Sequence, residues 1–201
     1  MGAALNIRKS LYKEMANVEA AFKNIHQDLI DGCKTGDQKA QFQIYKLYYK
    51  AMYNTSLRIV NDTMEAEDIM QESFLSAFEK IDMYSGAVSF GAWLKKIVIN
   101  RSLDYLNRKK AIFEDIDAHV GIKDSSNEDL AQKEEIDVRV EEVKRAIEKL
   151  PDGYRIILSL YLLEGYDHDE IAEILSITSS TSRSQLSRAK QKLISELKEK
   201  I

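Results

Sequence analysis

Asp169-Glu170-Ile171-Ala172-Glu173-Ile174-Leu175-Ser176-Ile177, continued after three residues by Thr181-Ser182-Arg183-Ser184-Gln185, is the stretch on which the fold turns. A helix-turn-helix needs a small residue where its two helices touch, here Ala172. It also needs a tight turn, an apolar residue after that turn (Ile177), and a second helix that is polar at its start and apolar behind. Leu186, Ala189, Leu193 and Leu197 supply the apolar back. Thr181, Ser182, Arg183, Ser184 and Gln185, with Ser180 ahead of them, then form a tip that fits a major groove. Arginine there pairs with guanine and glutamine with adenine, while serine and threonine reach phosphates or base edges. Arg188, Lys190 and Lys192 suit phosphate contact. Read without DNA, the same segment is an ordinary helical hairpin with a solvated charged face. Ser176 departs from the glycine common in such turns.

The rest of the chain agrees with a helical reading. Its 201 residues hold a single proline and eight glycines, and apolar residues recur at three- and four-residue spacing. The length suits two small domains. The expectation is an all-α protein, with two helical domains joined by a flexible acidic linker. Residues 1–25 form an extension without a motif, 26–110 a first domain, 111–137 the linker and 138–201 a four-helix second domain. Lone Cys33 excludes an internal disulfide and a cysteine-rich metal site. His26, His119 and His168 are scattered, so no metal or other cofactor is expected. No apolar run has the length of a membrane span and no signal-peptide core is present, which implies a cytoplasmic protein with no direct membrane insertion.

The net charge of −4 argues against nucleic acid until its distribution is read. Lys95, Lys96, Arg101, Arg108, Lys109 and Lys110 stand in one block against Asp104 alone. Arg183, Arg188, Lys190, Lys192, Lys198 and Lys200 form a second block against Glu196 and Glu199. Between them, Ala111 to Asp137 carries nine acids against Lys123 and Lys133, a local charge of −7. Two basic patches on either side of an acidic connector fit two nucleic-acid contacts better than the sum does.

In the first domain, two packed helices from Asp28 to about Val60 break near Thr35-Gly36-Asp37, and Asn61-Asp62-Thr63 gives a turn and a helix N-cap. The next helix, Met64 to Ile81, carries Asp68, Gln71 and Glu72 on one face, at spacings of three and four. That face is a solvated acidic surface or a docking stripe for a partner helix, and the spacing alone does not separate the two. Met83 to Ser89 reads as a loop, and a further helix runs from Phe90 to Lys109. On it Trp93 and Asn100 share a face, with Lys96 beside them and Arg101 and Arg108 continuing the basic run. An aromatic, an amide and cations suit unstacked bases and a phosphate strand. Trp93 serves equally as a core anchor. In the second domain one helix ends at Leu150, the next holds Ile156, Ile157, Leu160 and Tyr161 and stops at Gly165, and two more run from His168 to Leu175 and from Ser179 to Lys200. No paired carboxylates with a pocket, nucleophile triad, metal set or phosphate loop is legible, so no bond chemistry is expected.

Asp68-x-x-Gln71-Glu72-x-Phe74, then Phe90-x-x-Trp93-Leu94-x-x-Ile97-x-x-Asn100-x-x-x-Asp104-Tyr105, then Leu150-Pro151 and the helix-turn-helix together resemble an extracytoplasmic-function (ECF) sigma factor of bacterial RNA polymerase. The resemblance spans about Asp28 to Leu197, and the Thr181-to-Ala189 string is similar to the Bacteroidetes-type form. It implies that Asp68, Gln71 and Glu72 dock on the clamp helices of the largest subunit of core RNA polymerase, with the flap as a further contact. It implies that the Met83–Ser89 loop and the Trp93, Lys96, Asn100, Arg101 and Arg108 face capture a flipped base and melt the minus-ten element of promoter DNA. Ser180 to Gln185, Arg188 and Lys190 would read the minus-thirty-five element as duplex, and the acidic linker would thread toward the RNA exit channel. Sequestration by an anti-sigma factor, which can be membrane-bound, is also implied. Ser85, Ala87 and Val88 leave the base pocket unidentified, Ser180 stands where a glycine is frequent, and residues 1–25 have no counterpart.

Two other classes remain on the residues alone. A stand-alone helix-turn-helix regulator predicts dimers and a palindromic operator, and a protein-interaction adaptor predicts no role for Arg183 or Arg188. On the sigma reading, the free protein is expected to bind promoter DNA poorly, because its domains are loosely tethered and its net charge is repulsive. Polymerase would fix the spacing of the two domains.

Overall fold

In the computed structural model the residues described are 26–114 and 140–198, and they form eight α-helices and no strand. Residues 1–25 and the linker beyond Glu114 lie outside them. The first domain contains α1 (Gln27–Lys34), α2 (Gln38–Val60), α3 (Thr63–Glu79), a 3-10 turn (Ile81–Met83) and α4 (Phe90–Glu114). Gly36, at φ +79°, turns the chain between α1 and α2, and the Asp37 carboxylate caps α2 by accepting from Lys39 N at 2.8 Å. Gly32 lets α1 lie close on α2, since a Cβ there would meet Ala40 Cβ at 2.8 Å. Asn61 ends α2 in the left-handed region and Asp62 caps α3 through the amides of Met64 and Glu65, as the Asn-Asp-Thr turn predicts. Ile44, Met52, Met70, Phe74, Phe90, Leu94 and Val98 fill the space between the helices. Where α2 crosses α4, buried Ser56 and Ser102 share a hydrogen bond of 3.1 Å, small residues that allow a close approach.

The second domain has four helices: α5 (Val140–Glu148), α6 (Asp152–Leu158) continuing through a π-helical turn (Ser159–Leu163), α7 (His168–Leu175) and α8 (Ser179–Lys198). Leu158, Leu160, Ile171, Leu186 and Ala189 are its buried centre. Gly165 stops the second of these helices at φ +80°. Two boundaries differ from expectation. With no glycine or proline near Lys109 to break it, α4 runs on into the segment read as linker, and α5 ends at Glu148 rather than Leu150.

The larger correction concerns the domains, which touch rather than hang apart. One buried apolar cluster joins Ile59, Val60, Ile69 and Ile99 of the first to Leu150, Ile156 and Ile157 of the second. Arg155, only 3% exposed, donates across the junction from Nε to Arg58 O at 3.2 Å and from Nη2 to Ile59 O at 2.9 Å. Asn61 Nδ2 donates to Glu148 O at 3.0 Å. Loose tethering is therefore not the state of this fold: the C-terminal end of α2 offers unsatisfied carbonyls, and Arg155 meets them.

Candidate nucleic-acid interface

The helix-turn-helix is α7 and α8. Asp167 opens α7 with a full capping box: its carboxylate accepts from the amides of Asp169 and Glu170, and the Glu170 carboxylate accepts from Asp167 N at 2.8 Å. Ser176 takes the left-handed conformation at φ +54°, so this turn adopts the backbone that usually selects glycine. Ile177 N then donates to Ala172 O, and Thr178 Oγ1 caps α8 by accepting from Thr181 N at 3.1 Å. The Ser179 hydroxyl donates to the Asp169 carboxylate and ties the start of one helix to the start of the other.

Of the predicted tip, Ser180, Arg183, Ser184 and Arg188 are exposed, and Thr181 and Gln185 are half-buried. Ser182 is not part of it. Its side chain is buried, and its Oγ shares a hydrogen bond of 2.9 Å with His168 Nδ1 on α7. The reason is helical phase: Ser182, Leu186 and Ala189 lie on one face, and that face is the packed one. Lys190 is exposed, but its ammonium sits 5.5 Å from the Tyr161 ring of its own domain.

On α4 the predicted set divides. Asn100, Arg101 and Arg108 line an open groove of about 560 Å³ together with Lys80, Ser76 and Asp104. Trp93 lies outside it, half-buried against Tyr84 and Phe90 with ring centroids 5.3 and 5.6 Å away. It is thus a packed residue with one open side. Lys96 faces the second domain, 3.8 Å from Glu173 on α7. The Met83–Ser89 loop is pinned by buried Tyr84, whose Oη donates to Val88 O at 2.6 Å, and it leaves Met83 and Val88 exposed at either end.

Asp68, Gln71 and Glu72 are all exposed on α3, as expected of a shared outward face. Gln71 Nε2 donates to Glu67 at 3.3 Å, and Glu72 accepts from Arg101 at 2.8 Å, so one residue of the acidic set is joined to one of the basic set. Gln71 also borders an apolar groove with Phe42, Tyr45, Phe74, Leu75 and Phe78, in which Phe42 and Leu75 are exposed. That groove escaped the sequence reading, although Phe42 and Tyr45 at helical spacing were its signal.

Also missed was a cluster at the domain junction. The Glu164 side chain, 3% exposed, follows the π-helical turn and is held by Arg58, by Lys95 Nζ at 2.8 Å and by Thr55 Oγ1 at 3.1 Å. Burial, the largest single influence, pushes the Glu164 carboxyl upward. The hydrogen bonds and charges of Arg58 and Lys95 together outweigh it and hold the group below its ordinary value. No sequence motif marks these residues apart from Lys95 in the basic block.

Among the described residues no helix is long and apolar enough to cross a membrane. The α8 tip and the groove lined by Lys80, Asn100, Arg101 and Arg108 are cationic and amide-bearing, suited to polyanions and base edges. The Sigma-70 region 2 family matches residues 44–112, and the Sigma-70, region 4 family matches residues 140–193. The ECF RNA polymerase sigma factor SigW of Bacillus subtilis is 31% identical over 175 residues, spanning 83% of this chain and 93% of that protein. The ECF RNA polymerase sigma-E factor of Escherichia coli is 30% identical over 176 residues, spanning 82% of this chain and 90% of its own length. Among solved structures, the sigma factor RpoE of Bartonella quintana, in complex with the anti-sigma factor NepR, superposes with a TM-score of 0.55 at 25% identity, covering 78% of this chain and 95% of that one. With both sigma regions in order and relatives matched over most of their length, the chain belongs to the ECF RNA polymerase sigma factors and is a factor of transcription initiation.

Proposed function

We propose that the chain joins core RNA polymerase in the cytoplasm and brings it to promoters through two DNA contacts, one in each domain. The observation that carries this reading is that each domain presents its own cationic set at the surface: exposed Arg183, Ser184 and Arg188 on α8, and exposed Asn100 and Arg108 with half-buried Arg101 along the α3–α4 groove. Ser180, Arg183 and Ser184 on α8, with Thr181 and Gln185 at its edge, read the minus-thirty-five element as duplex. Arg188 and Lys190 neutralise flanking phosphates. Asn100, Arg101 and Arg108 track the minus-ten strand, Trp93 offers its open side to an unstacked base, and the Met83–Ser89 loop captures it. Lys96 joins that face once Glu173 leaves it. The Asp68, Gln71 and Glu72 face docks on the clamp helices of the largest polymerase subunit, with the flap as a further contact, and the apolar groove beside Gln71 extends that surface.

The chain divides into residues 26–110 and 138–201, with the acidic connector between them directed toward the RNA exit channel. Its α8 tip is of the Bacteroidetes-like form. An anti-sigma factor, the class of protein bound to RpoE in the Bartonella quintana complex, holds it inactive. The test is run-off transcription with core polymerase on a genomic fragment library. The expected result is a set of discrete transcripts that require the chain and are lost in Arg183→Ala; no chain-dependent transcript would reject the reading.

A further inference from the structure

Three donors from the first domain converge on one carboxylate of the second. Thr55 and Arg58 come from α2 and Lys95 from α4, and Arg58 Nη2 also lies 3.4 Å from Thr55 Oγ1, so the seat is organised by its own side chains. Arg58 and Lys95 keep 31% and 27% of their side-chain surface exposed, whereas Glu164 keeps 3%: the cations belong to a surface that the second domain covers. Arg58 Nε, buried, has no hydrogen-bond partner among the described residues, so Glu164 uses only part of the guanidinium fork. A phosphodiester carries the same single negative charge as a carboxylate and likewise has two terminal oxygens. It can engage an arginine through Nε and Nη together. Lys95 also immediately precedes Lys96, whose own partner, Glu173, comes from the same second domain.

We propose that Thr55, Arg58 and Lys95 form a seat for a backbone phosphate of DNA, and that Glu164 occupies this seat while the two domains are docked. DNA and the second domain then compete for the same cations. The proposal rests on the sigma reading for the identity of the ligand, but the competition is measurable without polymerase. The free full-length chain is titrated into a short fluorescein-labelled oligonucleotide of mixed sequence, as single strand and as duplex, over a range of salt. Dyes placed one in each domain report separation by energy transfer in the same samples.

Glu164→Gln keeps the side chain's size and removes the charge that fills the seat. It should separate the domains and tighten DNA binding about tenfold. Glu79→Gln, an exposed change of equal charge, should do neither. On an Arg58→Gln, Lys95→Gln background the gain from Glu164→Gln should vanish, and for the single strand the slope of log K against log salt should flatten by about 0.7 for each phosphate left without its cation. Circular dichroism checks that each variant is folded; should the double variant unfold, Lys95→Gln alone carries the comparison. Domains that separate in Glu164→Gln without a change in affinity or slope would overturn the phosphate seat, as would a gain that survives loss of both cations. Domains that stay docked in Glu164→Gln would overturn the competition. If wild type still supports run-off transcription in those cases, only the seat has failed. Absence of any transcript from wild type removes the sigma reading and leaves the competition for a polyanion to stand or fall on the titration.

Discussion

Arg155→Ala should separate the two domains without unfolding either. Arg155 is buried, and it donates to Arg58 O and Ile59 O of the first domain and to Leu150 O of its own, with Asp152 as its ion pair at 2.9 Å. Arg58 O and Ile59 O belong to the last turn of α2, where carbonyls lack helical partners and a cation is favoured. Each hydrogen bond to a charged group contributes about 1.5–3 kcal/mol, so the two that cross the junction total about 3–6 kcal/mol. Separation lets water reach the same carbonyls and returns part of that, which places the net effect near 3 kcal/mol. A shift of about 3 kcal/mol corresponds to roughly a hundredfold change in the ratio of docked to separated molecules. Energy transfer between dyes on α2 and α8, followed through a urea titration, reads the docking transition. Far-UV circular dichroism reads unfolding. The transfer midpoint should move to much lower urea than the dichroism midpoint does. Arg155→Lys keeps the charge but lacks the fork that reaches two carbonyls, so it should fall between. Coincident, unshifted transitions in Arg155→Ala would refute the reasoning that its two hydrogen bonds across the junction hold the domains together.

Four further outcomes follow from named contacts. Arg183→Ala should cost about 1–3 kcal/mol on the cognate upstream element and little on unrelated duplex, measured by competition binding with holoenzyme; an equal loss on all sequences would make Arg183 a phosphate contact. Gln71→Ala with Glu72→Ala should weaken binding to core polymerase in a pull-down while leaving the dichroism spectrum intact, since both side chains are exposed. Ser176→Gly should raise the stability of the second domain by about 1 kcal/mol, because Ser176 bears the left-handed penalty that glycine escapes; an unchanged denaturation midpoint would count against it. The fourth concerns acid. Glu164 has a lowered pKa in the docked state, so its contribution is fully present above the ordinary glutamate value of about 4.3 and is lost as pH falls through the lowered one. Energy transfer should therefore decline in that acid window in wild type, and Glu164→Gln should remove that component.

What was legible in the sequence follows from what periodicity can carry. The helix-turn-helix was readable because Ile171, Ala172, Ile177, Leu186 and Ala189 are placed by helical phase, which the sequence displays directly. The same phase also excludes Ser182 from the tip, because position 182 shares the packed face of Leu186 and Ala189. The outward face of Asp68, Gln71 and Glu72 was readable for the same reason. Trp93 was not assignable from spacing, because its half-burial depends on Tyr84, which reaches it from a loop. The domain junction was hidden more deeply. Arg155 reads in sequence as a surface partner of Asp152 one helical turn away, and Glu164 beside Gly165 reads as a solvated helix end. Their burial depends on carbonyls and cations about seventy to a hundred residues earlier in the chain, and no local pattern encodes that pairing.

The make-up of this junction bears on how it could open. Burying an ion pair costs desolvation that its Coulomb energy only partly returns, so an apolar contact of the same area would generally hold at least as well. An apolar contact, however, would expose only apolar surface on separation. At this junction Arg58, Lys95 and Glu164 regain hydration, and the two cations acquire a second class of partner in the phosphates of DNA. The acidic net charge then ceases to be an obstacle to DNA binding. Glu164 and Glu173 offset Lys95 and Lys96 only while the domains are docked, and moving the second domain away removes carboxylates from the basic face in the same step that frees it. A polymerase that holds the domains apart would need to supply only the docking free energy, and the pairing of the freed cations with phosphates would return part of it.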